Sequence, residues 1–341
     1  MALVDRSIEI TSVADDEVVV FDGAARRVYD SLSPGTDYEF EGVTVRTLDA
    51  PGELLCRFST VNDVHFGETE AGKTDDPSVG PILSVPDGSE PYPEFMNAGA
   101  VAEMVAIDPA VVVVKGDLTA AGTNEEYQRF LDVYGGTFGE RLRHVRGNHD
   151  AFHGESFADW PYQRIDLPGV TIALLDTARL FRVTGAVSGE QLDWLDTVAA
   201  EADRPVLVLG HHHIWNPERD LRSDSFFGIN PADSEGLIEV VERRSRIVGY
   251  SAGHTHRNGS QTIGRTGDVR YVEVACVKDF PGTWAEYRVF EGGVMQIHRR
   301  ISTPAALSWS EQARQMYGGF YETYAFGGLD DRCFLMSPRS S

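Results

Sequence analysis

Between Ser7 and Pro51, apolar and polar residues alternate in short runs, Glu17-Val-Val-Val-Phe21, Thr36-Asp-Tyr-Glu-Phe40 and Val43-Thr-Val-Arg-Thr47, broken by Gly and Pro turns. Alternation with a period of two predicts β-strands. A stretch of this length is too short for a complete sandwich, so residues 1–52 read as a small β appendage. From Leu54 the pattern changes to short, almost purely apolar runs separated by longer segments with helical spacing, which predicts an α/β layer fold. Strands are expected at Leu54 to Val61, Val111 to Lys115, His144 to Arg146, Val170 to Leu175, Pro205 to Leu209 and Arg246 to Ala252. Helices are expected at Pro93 to Ile107, Asn124 to Tyr134, Ser188 to Glu201 and Asp233 to Arg244. The third helix opens with a capping box, Ser188 with Gln191 three residues on, and its Leu192, Leu195 and Val198 recur on one face as core positions.

After Thr266 strands return (Arg270 to Ala275, Trp284 to Phe290, Val294 to Ile301). The last forty or so residues are aromatic-rich, helical over Ser308 to Tyr317 and irregular beyond. The chain therefore divides into residues 1–52, a main domain over 53–301 and a C-terminal extension over 302–341.

Composition narrows the setting. A chain of 341 residues with 42% hydrophobic content can bury a large core. No stretch is long enough to span a bilayer, and Met1 to Ile10 lack the charged start and apolar run of a signal peptide. The expectation is a soluble, cytoplasmic protein with no membrane partner. Cys56, Cys276 and Cys333 are scattered, which argues against a disulfide framework or a thiolate metal site. The formal net charge is −23, and lysine occurs only at 73, 115 and 278, leaving 27 of the 30 basic residues as arginine. Dense carboxylate with little lysine resembles the proteins of salt-in halophiles, in which surface charge maintains solubility. In molar salt the screening length is only about 3 Å, so charge alone does not exclude a polyanionic substrate.

Five motifs stand where expected strands run out: Asp63-Val-His65, Gly116-Asp117, Gly147-Asn-His-Asp150, Gly210-His-His-His213 and Gly253-His-Thr-His256. Strand ends in α/β sheets are where distant side chains meet a ligand. Any one of these motifs is an ordinary turn or a satisfied histidine, but five in series point to shared chemistry. Carboxylates, imidazoles and one amide are the mixed oxygen and nitrogen shell that two divalent ions require, with a carboxylate to bridge them. Arg146, Arg257, Asn258 and His153 lie beside these motifs and are candidates to reach a phosphate. The segment Phe66 to Tyr92, rich in Gly, Pro and Asp, follows the first pair as a candidate lid. Tyr317, Tyr321 and Tyr324 either pack on the domain or cap a cleft.

The ordered set Asp-x-His, Gly-Asp, Gly-Asn-His-Asp, His, Gly-His-x-His is similar to the signature of the calcineurin-like metallophosphoesterases, over about residues 54 to 300. The run Gly116-Asp-Leu-Thr-Ala-Ala-Gly-Thr-Asn-Glu-Glu-Tyr127 resembles the branch of cyclic-nucleotide and glycerophosphodiester phosphodiesterases. The resemblance implies a four-layer α/β/β/α sandwich carrying two divalent or mixed-valence ions (Mn, Fe or Zn). Asp63, His65 and His256 would hold the first ion, Asn148, His211 and His254 the second, and Asp117 would bridge. His211 is preferred to His212 and His213 as the first histidine after the strand. Catalytic roles fall to His149, facing the phosphate, and Asp150, orienting His149. Substrate contacts are expected from Asn148, His149, Arg146 and Arg257. The tyrosine ligand of purple acid phosphatases is absent, because Ala120 stands at its place.

The implied reaction is hydrolysis of a small phosphate ester, a phosphodiester first, by a metal-bridging hydroxide. A phosphomonoesterase or nucleotide pyrophosphatase is the alternative, and a non-catalytic metal scaffold a further one. A nuclease is disfavoured by the lack of a basic, aromatic-interleaved stretch.

Overall fold

The short N-terminal runs form β1 (Glu9–Val13), β2 (Val18–Asp22), β3 (Ala25–Tyr29), β4 (Asp37–Phe40) and β5 (Val43–Arg46) in the computed structural model, which describes residues 8–339 except 24, 75, 77, 155 and 156. After them come β6 (Leu54–Val61), β7 (Val112–Lys115), β8 (Leu142–Val145), β9 (Tyr162–Leu167), β10 (Val170–Leu175) and β11 (Val206–Leu209). The remaining strands are β12 (Ile247–Ala252), β13 (Gly259–Gln261), β14 (Arg270–Glu273), β15 (Thr283–Phe290), β16 (Gly293–Arg300) and β17 (Phe334–Met336).

Two six-stranded sheets result, ordered β17-β16-β15-β6-β7-β8 and β13-β14-β12-β11-β10-β9. In the first, β6, β7 and β8 run parallel, and in the second β10, β11, β12 and β14 do. Strands β7, β10, β11 and β12 are buried along their whole length. That is why their sequences are mostly apolar runs rather than alternating ones.

Three apolar layers hold the sandwich together. Phe58, Val113, Ile172, Leu209 and Tyr287 fill the space between the sheets, where the Phe58 and Tyr287 rings stack at 4.5 Å. Helix Tyr92–Ala106 covers the outer face of the first sheet through Met96, Ala100 and Met104. Helices Gly189–Glu201 and Pro231–Arg243 cover the second through Leu195, Leu237 and Val240. The architecture is the four-layer α/β/β/α sandwich.

Strands β1 and β2 lay Val13, Val18 and Val20 against Met295 and Ile297 of β16. The tail is more ordered than its sequence suggests. Helix Pro304–Ala313 replaces the expected Ser308 to Tyr317, a second helix spans Phe320–Phe326, and β17 pairs antiparallel with β16. Phe334 and Met336 of β17 enter the core between the sheets. Among the described residues, no helix is long and apolar enough to cross a membrane.

Candidate metal centre

The parallel strands of both sheets end at the same rim, and the loops leaving them are joined by main-chain hydrogen bonds. Beyond β6 and β7 the pairing continues, with Asp63 N–H donating to Gly116 O (3.1 Å), Val64 N–H to Asp117 O (2.9 Å) and Phe66 N–H to Leu118 O (3.2 Å). Within the second sheet Gly253 N–H donates to His211 O (2.9 Å), and across the sheets His254 N–H donates to both oxygens of Asp63 (3.1 and 3.2 Å). Asn62 Nδ2 fixes the same carboxylate at 2.6 Å.

These loops turn sharply at the chemistry. Asp63, His65, Asp117, His254 and His256 all adopt φ between 47° and 71°, a left-handed region costing a non-glycine residue roughly 1–2 kcal/mol. Two glycines give them room. A Cβ on Gly116, itself at φ 89°, would stand 2.7 Å from His211 Nδ1. One on Gly147 would stand 2.2 Å from Asp117 Oδ1.

Asp117 lies at the middle. Its Oδ2 is 3.4 Å from His65 Nε2 on one side and 3.3 Å from His211 Nε2 on the other. His211 Nε2 is in turn 3.2 Å from Asn148 Oδ1, and His256 Nε2 is 3.5 Å from Asp63 Oδ1. Donor atoms of Asp63, His65 and His256 fall within 4.8 Å of one another, as do those of Asp63, Asp117 and His211 and those of His211, His212 and His254. Bonds of ~2.1 Å set neighbouring donors of a tetrahedral or octahedral shell roughly 3.0–3.4 Å apart, which is the spacing seen here. His65 Nε2 and His254 Nε2 are buried without a hydrogen bond from the protein, the condition of atoms that await a ligand. The donor set therefore fits a pair of divalent ions sharing Asp117.

Electrostatics agree with that fit. Burial alone would raise Asp117, but His211 and His149 outweigh it and hold the carboxyl well below its usual range. Asp63 is likewise drawn down to about 2, against burial, by His256 and His211. Burial opposes protonation of His211, yet Asp117 lifts it to about 9. In His254, burial and the neighbouring His212 act together and push the imidazole well below its usual value.

The triple histidine separates into three environments. His211 Nδ1 meets Lys115 O (2.8 Å) and turns Nε2 to Asp117. His212 spends both ring nitrogens on the protein, Nδ1 with Thr177 Oγ1 (2.9 Å) and Nε2 with Val183 O (3.2 Å). His213 packs against Phe226, with ring centroids 5.2 Å apart.

Other expected contacts fall elsewhere. His149 is oriented by the Ala120 main-chain carbonyl, 2.7 Å from its Nδ1, and not by Asp150. Asp150 is fully buried and accepts from Gly147 N (2.7 Å), Leu118 N (3.0 Å), Thr119 N (2.9 Å) and Thr119 Oγ1 (2.6 Å), so it ties two motif loops together. Arg146 is buried against Asp176 (2.8 Å) and Asp159 (2.6 Å). Arg257 forms a two-pronged pair with Glu273 (2.9 and 3.1 Å). Asn258 is bound to the carbonyls of Ala325 and Phe326 in the tail helix, and His153 is exposed. Carboxylates and carbonyls thus occupy Arg146, Arg257 and Asn258, whereas Asn148 and His149 line the cleft.

A cleft of about 630 Å³ opens onto Asp117, Asn148, His149, His254 and His256. Lys73 and Val79 line it from the segment between Phe66 and Tyr92, and Tyr317, Phe320, Tyr321 and Tyr324 from the tail. Phe227 stacks on His254 with centroids 4.1 Å apart. The sequence offered no local sign of Phe227, or of Glu68, Lys278 and Asp279 behind the site, because none belongs to a motif.

Comparison with known proteins supports the same conclusion. Residues 57–258 match the family model described as calcineurin-like phosphoesterase. Over 190 residues the chain is 28% identical to a probable cyclic nucleotide phosphodiesterase of Synechococcus sp., a span of 54% of this chain and 72% of the relative. Over 177 residues it is 30% identical to the glycerophosphodiester phosphodiesterase GpdQ of Enterobacter lignolyticus, 47% of this chain and 61% of that relative. A probable cyclic nucleotide phosphodiesterase of Rhodococcus erythropolis is 26% identical, with 46% of this chain and 54% of the relative aligned. The chain thus spans between about half and three quarters of these relatives. The fold is shared with a dimetal phosphatase from Danio rerio (TM-score 0.55, 17% identity, 73% of this chain and 98% of that one). It is also shared with the purple acid phosphatase PPD1 of yellow lupin (TM-score 0.50, 14% identity, 81% and 59%).

Proposed function

The chain belongs to the calcineurin-like phosphoesterase family, whose members hydrolyse phosphate esters, and from that premise we propose that its substrate is a phosphodiester cleaved at a two-ion centre. The reading depends on one observation above others: Asp117 Oδ2 sits between the imidazoles of His65 and His211, placed to be shared by two donor sets. Asp63, His65 and His256 would hold one ion and Asn148, His211 and His254 the other, with Asp117 common to both. Manganese, iron and zinc all suit such a shell. When bound, the ions acidify water and offset charge on the phosphoryl oxygens.

The residues of the chain do the rest. His149 lines the cleft, and with Nδ1 held by the Ala120 carbonyl its Nε2 is the nitrogen free to serve the substrate. Proton transfer to the leaving oxygen is the role that position allows. The aromatic walls exclude water from one side of the cleft and offer faces for an apolar or ring-bearing alcohol.

The preference for a diester follows from charge. Among the described residues lining the cleft, Lys73 is the only permanent cation, and Arg146 and Arg257 are engaged by carboxylates. A dianionic monoester calls for more compensation than a singly charged diester does. The relatives, named as phosphodiesterases of cyclic nucleotides and of glycerophosphodiesters, point the same way. Metal-loaded protein assayed with bis-p-nitrophenyl and mono-p-nitrophenyl phosphate in concentrated potassium chloride should show the higher kcat/KM on the diester. A clear preference for the monoester would overturn this assignment. The salt suits a chain with net charge −23, for which we favour a salt-rich cytoplasm.

A further inference from the structure

Behind the first donor set lies a line of buried charge that a metal shell does not by itself require. His65 directs Nε2 toward Asp117, while its Nδ1 is in ion-pair contact with Glu68 Oε2 at 2.9 Å, outside hydrogen-bond alignment. His256 directs Nε2 toward Asp63, and its Nδ1 lies 3.7 Å from Asp279 Oδ2. Both carboxylates then converge on one ammonium group: Lys278 Nζ is 2.9 Å from Glu68 Oε1 and 3.0 Å from Asp279 Oδ2. Lys278 is 4% exposed, and Trp309 Nε1 donates to its main-chain carbonyl at 2.9 Å. A single cation thus joins the rear nitrogens of two imidazoles that arrive from different sheets.

Three features argue that this is more than a stabilising ion pair. Burying an ammonium and its carboxylates is costly in desolvation, so such a group adds little to stability over an apolar filling. The chain also avoids lysine, using arginine at 27 of 30 basic positions. Of its three lysines, Lys73 is exposed, and the two that are buried, Lys115 and Lys278, both stand against this centre. Finally, the second donor set is braced differently, since His211 Nδ1 rests on the Lys115 main-chain carbonyl rather than on a carboxylate.

A compact ammonium with three donors can serve two carboxylates at an angle that a planar guanidinium does not match. Carboxylates behind ligating imidazoles fix ring orientation and strengthen the metal-facing nitrogen. We propose that Lys278 is a positioning residue which, through Glu68 and Asp279, sets His65 and His256 together and so makes the first ion position tighter than its own donors would. This inference rests on the two-ion reading above.

The test is a titration of metal-free full-length protein with manganese, followed by calorimetry and by electron paramagnetic resonance, for the parent, Lys278→Met and Glu68→Gln. The parent should take up two ions. In Lys278→Met the affinity of one ion should fall about 10- to 100-fold while the other is unchanged, and Glu68→Gln should weaken the same ion. A parent that binds no pair of ions overturns the two-ion reading itself. A parent with two ions and variants that bind both with parental affinity, or that weaken both equally, overturns the role of Lys278 and leaves the centre standing. If Lys278→Met does not fold, Glu68→Gln decides alone, because it removes charge from the strap while leaving Lys278 paired with Asp279.

Discussion

The main-chain N–H of His149 donates to Asp117 Oδ1 at 2.9 Å, so the carboxylate at the middle of the donor set and the histidine facing the cleft are locked in one register. The Asp117 oxygens are thereby divided, Oδ1 toward the β8 loop and Oδ2 toward His65 and His211.

Asp117→Ala removes the group common to both donor sets. Both ions should be lost or bound far more weakly, and turnover should fall by at least 10³-fold on every ester tried. Elemental analysis of the reconstituted variant alongside a diester assay checks this, and two retained ions with substantial activity would contradict it.

His149 and Asp150 should separate cleanly. His149→Ala is expected to slow turnover about 10²- to 10⁴-fold with two ions still bound. Asp150→Ala instead strands Gly147 N–H, Leu118 N–H and Thr119 N–H in a buried site, with a stability loss on the order of 3 kcal/mol or more. Thermal unfolding and metal analysis of the pair distinguish the two effects.

Gly147→Ala is a test of space. The added methyl would stand 2.2 Å from Asp117 Oδ1 and 2.4 Å from its main-chain nitrogen, so the Asp117 loop must move. Metal content and activity should both collapse in a protein that still shows native far-ultraviolet circular dichroism.

Metal affinity should rise with pH through the neutral range. In metal-free protein Asp117 lifts His211 to about 9, so below that pH the imidazole carries a proton which an incoming ion must displace. The sign follows: affinity increases by about tenfold per pH unit for each proton released, with the contribution of His211 complete above about pH 9. Calorimetric titrations from pH 6 to 9.5 in buffers of different ionisation enthalpy measure both the slope and the released proton. A flat profile would contradict the coupling between His211 and Asp117.

Much of this molecule is legible in its sequence. Strands β6 and β10 match their expected bounds, and the Ser188 capping box closes as expected, with Ser188 Oγ accepting from Gln191 N and Gln191 Oε1 from Ser188 N. Buried apolar runs and local caps are written in neighbouring residues, which is why they can be read. Strand β9 was hidden because an edge strand with Arg164 and Asp166 toward solvent and a polar Gln163 on its inner face looks like a loop. At three residues, β17 is too short to show a period, and only its place beside β16 makes it a strand. The motif residues were visible because each sits where a strand runs out. What surrounds them was not: Arg146 and Arg257 find carboxylates at Asp176 and Glu273, and Glu68 and Asp279 meet at Lys278, all pairings that only the folded chain creates.

Asp63, His65, Asp117 and Asn148 hang from one sheet, whereas His211, His254 and His256 hang from the other. Ions held among them would act as a clasp across the seam of the sandwich. For the halves to slide or part under heat, that coordination would have to rupture in the same event, so stripping the ions with a chelator should convert one late, steep melting transition into an earlier one.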